Sequence, residues 1–238
     1  MKNRERIFNL PAVIVVCGGA IVVLHLARLA LSDDADFRLV LALGFIPARY
    51  GEFAAMLPGG VGARYWTPLT YALLHGDGVH LAVNMFWMAA FGSAVARRLG
   101  AMRFTVLAVA ATLAGALAHF IAFAGDRSVM IGASGAVSGM TAAAARFAFM
   151  PGGPLGTGRG QPDAFHLPAP PLRAVFGNRN TLIFIAAWFV INLVFGVQGA
   201  LLPGVEGAIA WQAHIGGFLA GFLLFGFIDP VPRRWPAA

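Results

Sequence analysis

Charged residues are scarce in this chain, and their scarcity is the first guide to its class. Only 11% of the 238 residues are charged, whereas 59% are hydrophobic and the mean hydropathy is +0.76. Soluble globular domains carry about 25% charged residues. The composition therefore excludes an ordinary soluble domain and indicates a multi-pass membrane protein.

Cysteine and lysine are nearly absent as well. Cys17 has no possible partner within the chain, so no disulfide framework supports the fold. Lys2 is the single lysine, and sixteen arginines supply the remaining positive charge. This bias, with abundant alanine and glycine, indicates a GC-rich bacterial genome. The net charge is +7, but the basic residues lie between apolar runs and do not form a patch on one soluble face. We therefore expect no nucleic-acid partner.

Six apolar runs are long enough, or nearly so, to cross a bilayer. A transmembrane helix needs about 20 residues, and runs nearer 17 are tolerable where loops cover their ends. The predicted spans are residues 11–31, 79–95, 104–124, 134–150, 181–197 and 209–228. The first run is too long for the apolar region of a signal peptide and is expected to be retained. We expect residues 1–238 to form one all-α membrane domain with six transmembrane helices.

Two connections stand out between these spans. Residues 32–78 contain apolar pieces too short to cross, together with tyrosines and a tryptophan, which is typical of a segment held at the membrane interface. This first outer loop is therefore expected to be embedded in one leaflet. Residues 151–180 contain six prolines and six glycines, which predicts a flexible cytoplasmic linker without a packed element.

Basic residues set the expected orientation. With a cytoplasmic N-terminus, twelve of the seventeen Lys and Arg residues fall in the inner segments, and most acidic residues fall outside. The positive-inside rule therefore predicts that both termini are cytoplasmic, in a bacterial inner membrane.

Four polar side chains are predicted to share one shallow layer below the outer face. In this orientation the even-numbered spans run inward. His80 and Asn84 begin the second span, and Ser134 begins the fourth. His214 lies about a turn and a half into the sixth span, at about 1.5 Å of depth per residue.

Small residues predict that two of these spans also meet laterally. The fourth span contains Gly135-x-x-x-Gly139 and the sixth contains Gly217-x-x-x-Gly221. Such seams allow helix backbones to approach closely in lipid. Both begin within three residues of the serine or the histidine, so a contact between Ser134 and His214 is expected.

This arrangement has the chemistry of a serine hydrolase. A histidine can take the proton of a serine hydroxyl and make it a nucleophile. His80 and Asn84 lie on one helix face and, with the backbone N–H of Ser134, could stabilise an oxyanion. No acidic residue is close in sequence to Ser134 or His214, which predicts a Ser/His dyad without a third member.

Three motifs resemble those of the rhomboid family of intramembrane serine proteases. They are Gly132-Ala133-Ser134-Gly135, Ala213-His214 followed by Gly217 and Gly221, and His80-x-x-x-Asn84. The resemblance implies a six-helix rhomboid-like bundle with a membrane-embedded first outer loop. It further implies Ser134 as nucleophile, His214 as general base, His80 and Asn84 as oxyanion donors, and His75 as a structural histidine. The implied activity is cleavage of single-pass transmembrane substrates near their outer ends.

Two positions depart from the family pattern. Trp66 is followed by Thr67 where the family usually has arginine, which leaves open how the first outer loop is anchored. Ser138 stands where many members have an aromatic residue that packs on the catalytic histidine, so we expect Trp211 or Phe218 to hold the base. Ser138 itself is a weaker alternative nucleophile, because it lies a turn deeper without the flanking glycines.

Other readings of the polar residues fit less well. His25, His119 and Asn192 are expected to hydrogen-bond neighbouring carbonyls. The spans contain no carboxylate and no His-Glu-x-x-His, which argues against a zinc or aspartyl protease, so no metal or cofactor is expected. The expected function is an intramembrane endopeptidase acting through an acyl-enzyme. The alternative is a noncatalytic relative that binds and escorts transmembrane segments. A transporter is a third hypothesis.

Overall fold

The structure is a computed structural model that describes residues 9–157, 163–198 and 210–232. Several predicted features lie outside these ranges: residue 209 at the start of the sixth span, Glu206, residues 158–162 of the linker, and the basic residues Lys2, Arg4, Arg6, Arg159, Arg233 and Arg234.

The described residues form α-helices joined by loops, with one isolated antiparallel bridge between Phe45 and Met130. The α-helices are α1 (Ala12–Arg28), α2 (Asp33–Leu43), α3 (Ala63–Thr70), α4 (Gly78–Trp87), α5 (Ser93–Ala122), α6 (Ser134–Ala145), α7 (Leu172–Val175), α8 (Arg179–Gln198) and α9 (Trp211–Ile228). Three 3-10 turns, Pro47–Tyr50, Glu52–Met56 and Tyr71–Leu73, shape the first outer loop, and a π-helical turn, Met88–Gly92, joins α4 to α5. The expectation of an all-α chain is confirmed for these residues.

Two helical runs in the described part have the length and apolarity of a membrane span, Gly78–Ala122 and Trp211–Ile228. The first is 45 residues long and covers two of the predicted spans. Gly100 divides it, because its φ of 74° and ψ of 167° are not helical. Glycine tolerates this conformation without the steric cost that a Cβ atom would impose. Ala12–Arg28 and Arg179–Val194 are shorter apolar helices.

Helices α5, α6 and α9 pack together at the centre, and small residues set their spacing. A methyl group added to Gly217 would collide with the backbone of Gly135, and one added to Gly221 would collide with the backbone of Gly139. Eleven of the twelve α6 residues are buried, so α6 is enclosed by its neighbours. The predicted close approach of the two glycine seams is confirmed.

Arg49 organises the first outer loop. Its guanidinium is fully buried and donates to the carbonyl oxygens of Leu41, Pro58 and Gly60 at 2.5, 3.0 and 3.3 Å. Thr67, at the position where the family usually has arginine, is also buried and donates to Ala63 O at 2.7 Å. The loop therefore has an arginine anchor at a different position in the sequence.

A second arginine ties the first helix to the outer loop. Arg28 donates through Nε and Nη2 to the Asp36 carboxylate at 2.6 and 2.9 Å, and through Nη1 to His75 O at 2.7 Å. These hydrogen bonds lower the pKa of the Asp36 carboxyl below its ordinary value. Arg28 thereby fixes the end of α1, the start of α2 and the approach to α4.

The opposite end of the molecule is held by a buried ion pair. Arg98 donates to both carboxylate oxygens of Asp229 at 2.9 and 2.8 Å, and also to the carbonyl oxygens of Phe165 and Leu167. The same guanidinium lies over the Phe225 ring, 5.4 Å from its centroid. This cluster fastens part of the predicted linker to the ends of α5 and α9.

The prediction that no packed element lies between residues 151 and 180 is wrong for two stretches. Arg98 binds the chain at residues 165–167, and α7 forms one helical turn in which Val175 is fully buried. Pro171 immediately precedes this turn, a position where its fixed φ favours helix initiation. Local composition could not reveal these tertiary contacts.

Candidate active site

Ser134 is the first residue of α6 and follows a tightly constrained loop. Met130 pairs with Phe45 through two backbone hydrogen bonds of 2.8 and 3.0 Å, and the N–H of Gly132 donates to Tyr71 O at 2.9 Å. Gly132 has φ of 121°, and a Cβ atom there would stand 2.7 Å from His80 Nε2. Only glycine fits this turn, which sets the direction in which the Ser134 side chain leaves the helix.

His214, on α9, meets this serine directly. Its Nε2 lies 2.7 Å from Ser134 Oγ, which is hydrogen-bond distance. The two side chains are 80 positions apart in sequence and both are half-buried. The contact follows from the glycine seam, because Gly135 and Gly217 lie one and three residues beyond them and bring the two backbones together. The structure brings the predicted nucleophile and the predicted base together.

Tyr71 supports the glycine seam next to Ser134. Its hydroxyl is buried, donates to Thr112 O at 2.9 Å, and lies 3.0 Å from the position of a Cβ atom on Gly135. Its backbone oxygen accepts from Gly132. Tyr71 thus connects α5 to the loop that presents Ser134.

His80 lies on the other side of that loop. The point where a Gly132 Cβ would stand is 2.7 Å from His80 Nε2 and 3.7 Å from Ser134 Oγ, so both side chains border the same small space. Its ring also packs edge-on against His75, with centroids 4.9 Å apart. His75 is fully buried, and its Nε2 accepts from Ala133 N at 3.4 Å. His75 therefore touches the serine loop, as a structural histidine would.

The carboxylate nearest to these histidines in sequence is Asp77, which accepts a hydrogen bond from His80 N at 2.8 Å at the start of α4. No group of three or more His, Cys, Asp or Glu side chains in the described ranges could hold a metal ion.

Asn84 makes its side-chain hydrogen bond within its own helix. It is buried, and its Nδ2 donates to His80 O at 2.9 Å. The structure therefore does not join Asn84 to Ser134 in this state. Backbone donors are available beside Ser134, because the first N–H groups of an α-helix have no i−4 carbonyl partner and Ser134 begins α6.

A further residue was missed as part of the site. Asn192 Oδ1, on α8, lies 2.5 Å from His214 Nδ1, on the opposite side of the ring from Ser134. Its Nδ2 donates to Trp188 O at 2.8 Å, so the expected bond to a neighbouring carbonyl is confirmed. The predicted spans place Asn192 at about the depth of His214, because it lies five residues from the end of span 181–197 and His214 lies five residues into span 209–228. Depth alone does not give the lateral contact between them.

Phe218 and Trp211, the expected neighbours of the base, pack against residues of α8. Within the described part, Phe218 packs on Trp188 with centroids 4.4 Å apart, and the Trp211 ring packs against Gly196. The side chain that hydrogen-bonds His214 on the side away from Ser134 is Asn192. Ser138 is buried one turn deeper in α6. Contrary to expectation, His119 makes no hydrogen bond through either ring nitrogen to any described group. His25 makes none through Nδ1.

Comparison with known proteins points in one direction. A family model described as the Rhomboid domain matches residues 62–229. Similar curated proteins include RHOMBOID-like protein 5 of Arabidopsis thaliana, 30% identical over 69% of this chain and 47% of its own length. RHOMBOID-like protein 4 of the same plant is 29% identical over 70% of this chain and 34% of its length. Rhomboid protease GlpG of Enterobacter sp. (strain 638) is 26% identical over 74% of this chain and 54% of its length. The matches thus span about half or less of these relatives.

Proposed function

The chain belongs to the rhomboid family of integral membrane proteins, and on that premise we propose that it is an intramembrane serine endopeptidase. Its substrates would be single-pass membrane proteins, cleaved near the outer membrane face. One observation carries the proposal: Ser134 Oγ lies 2.7 Å from His214 Nε2, within reach for proton transfer. Rhomboid protease GlpG among the relatives adds support.

The proposed reaction has two stages. His214 Nε2 takes the hydroxyl proton as Ser134 Oγ bonds to the carbonyl carbon of the scissile peptide. The tetrahedral intermediate collapses when the C–N bond breaks and His214 returns the proton to the leaving amine. A water then attacks the acyl-enzyme with His214 again as base, and release of the acid restores the Ser134 hydroxyl.

Donors at the start of α6 would stabilise the oxyanion. The Ser134 backbone N–H is free of an intrahelical partner, and the positive end of the helix dipole favours a developing negative charge there. His80 would add a side-chain donor from across the Gly132 loop. Asn84 would join only after its amide rotates away from His80 O, which it contacts at 2.9 Å in this state.

We further propose that six helices cross the membrane, with the first outer loop embedded in the outer leaflet. The break at Gly100 supports this count, because it leaves two helices of about 33 Å, each long enough for a hydrocarbon core of about 30 Å. Both termini would be cytoplasmic in a bacterial inner membrane, by the distribution of basic residues.

The alternative is a noncatalytic protein that binds transmembrane segments. Two of the relatives are named rhomboid-like proteins, and nothing in their names states a protease activity. The hydrogen-bonded Ser134 and His214 favour the enzyme, because a binding protein has no need for a serine and a base in contact.

A fluorophosphonate probe distinguishes these functions. We expect Ser134 Oγ to displace fluoride and become phosphonylated, with His214 taking the proton, and we expect Ser134→Ala to abolish labelling of the purified protein. Ser138→Ala is the matched control, because Ser138 is a buried serine of the same helix outside the contact with His214, and it should label normally. Labelling that survives in Ser134→Ala, or an unlabelled wild type, would exclude the assignment.

Asn84→Ala tests the oxyanion donors. If Asn84 rotates to bind the oxyanion, its removal is expected to lower kcat by roughly 10²-fold or more, with little change in KM, because the interaction exists only in the transition state. The measurement is steady-state cleavage of a single-pass substrate in liposomes, alongside the thermal unfolding midpoint. An unchanged kcat in a folded variant would remove Asn84 from the site.

A further inference from the structure

The hydrogen bonds of His214 connect three helices. Nε2 faces Ser134 on α6 at 2.7 Å, and Nδ1 faces Asn192 on α8 at 2.5 Å. Both ring nitrogens of the base are thus engaged, one by the nucleophile and one by an amide. No aromatic ring in the described part stacks on this imidazole.

The second bond of Asn192 decides which way its amide faces. Nδ2 donates to Trp188 O at 2.8 Å, one turn earlier in α8. Rotating the amide by 180° would put two acceptor oxygens against each other at Trp188 and give up that bond. Oδ1 is therefore the atom directed at His214, and it can only accept.

This orientation also determines where the imidazole carries its proton. Because Oδ1 accepts, the neutral His214 ring must place its hydrogen on Nδ1, which leaves a lone pair on Nε2. That lone pair is the acceptor needed for the Ser134 hydroxyl proton. The other tautomer would point an N–H at Ser134 and leave Nδ1 and Oδ1 as two facing acceptors.

Building on the proposed protease function, we propose that Asn192 is a positioning residue that fixes the ring orientation and the tautomer of His214. A neutral amide here does what a carboxylate does in a Ser-His-Asp triad, without placing a formal charge in an apolar span. The predicted dyad is then the reactive part of a three-residue chain, Asn192, His214 and Ser134.

A purely structural role is the competing explanation. The Asn192–His214 bond is the one side-chain hydrogen bond that joins α8 to α9 among the described residues. Hydrogen bonds between membrane helices contribute modestly to stability. A structural role predicts lower stability, whereas a positioning role predicts a slow nucleophile in a folded protein.

Asn192→Leu separates the two roles, because leucine has the same number and branching of side-chain heavy atoms as asparagine, makes no hydrogen bond and suits an apolar span. We expect kcat for a single-pass substrate, and the rate of fluorophosphonate labelling, to fall roughly 10- to 100-fold, as when the partner that orients a metal-ligating histidine is removed. KM and the thermal unfolding midpoint should stay near the wild-type values. Asn192→Asp should restore most of the rate, because a protonated carboxyl group in the apolar span can donate to Trp188 O and accept from His214 Nδ1 through its other oxygen.

Asn178→Ala is the matched control. Asn178 also makes side-chain hydrogen bonds, accepting from Thr181 N at 3.0 Å and donating to Phe149 O at 3.4 Å near the start of α8, away from His214. Its loss should lower the unfolding midpoint and leave the labelling rate of the folded fraction unchanged. If Asn192→Leu folds poorly, Asn192→Ala replaces it, and its labelling rate per folded molecule is compared with that of the wild type.

The outcomes separate this inference from the proposed function. A wild type that neither labels nor cleaves overturns the protease. Three results with an active wild type would overturn the role of Asn192 alone. They are an Asn192→Leu protein as fast as the wild type, an Asn192→Asp protein as slow as Asn192→Leu, and an Asn192→Leu protein in which KM rises while kcat is unchanged. An equal loss of rate in Asn178→Ala does the same.

Discussion

Alanine at Ser134 or at His214 is expected to lower kcat for cleavage of a single-pass substrate by about 10⁶-fold while the protein stays folded. The reason is that nucleophile and base act as one unit, so removing either costs about as much as removing both. The contact of 2.7 Å between Ser134 Oγ and His214 Nε2 is the structural basis. The measurement is kcat in liposomes at saturating substrate, with the unfolding midpoint as the test of folding.

His119→Ala serves as the control for the histidine. His119 is another buried histidine, on α5, and it packs against Phe45 and Phe123 and not against the serine. It should retain kcat within a few-fold of the wild type, whatever its effect on stability. A folded His214→Ala protein with more than a small fraction of wild-type activity would show that another group is the base.

Gly217→Ala is expected to have the largest effect among changes outside the reacting groups. Replacing glycine by alanine within a helix normally stabilises it, by about 1 kcal/mol. At Gly217 the added methyl group would instead collide with the backbone of Gly135, which cannot rotate away as a side chain could. Overpacking typically costs 1–3 kcal/mol, so we expect a lower unfolding midpoint despite the gain in helix propensity.

Activity should fall further than stability in that variant. Relieving the collision moves α9 away from α6, and a displacement of about 1 Å between reacting groups can cost about 10²-fold in rate. Gly19→Ala on α1 is the matched control, because Gly19 is exposed and no atom would meet its added methyl group. It should be neutral or slightly stabilising. Equal behaviour of the two variants would contradict the role of the glycine seam.

The glycine seam also explains why so much of the site could be predicted. The position of a residue within its span predicts its depth in the membrane, because a helix rises about 1.5 Å per residue. Gly135 and Gly217 predicted the lateral contact between the two helices. Together they placed Ser134 against His214. For Asn84 the same reasoning gave the depth and the helix face, but not the rotamer that directs its amide to His80 O.

Contacts between distant parts of the chain could not be predicted in the same way where no short sequence pattern marks them. Arg49 lies in a segment whose sequence indicates only an interfacial loop, yet it is fully buried and binds three carbonyl oxygens. Arg98 similarly packs part of a proline- and glycine-rich linker that composition alone predicts to be unpacked. In both cases the partners are backbone carbonyls, which every residue carries, so the sequence does not identify them.

The sequence by itself determined the membrane class, the family resemblance and the pairing of Ser134 with His214, because composition, helix rise and small-residue spacing are local properties. Only the tertiary structure decided which side chain hydrogen-bonds His214 Nδ1. Asn192 was a solitary polar residue in an apolar span until α8 was set beside α9, which brought its Oδ1 to 2.5 Å from His214 Nδ1. The rotation of one helix about its axis depends on all its neighbours at once, and no short pattern in the chain encodes it.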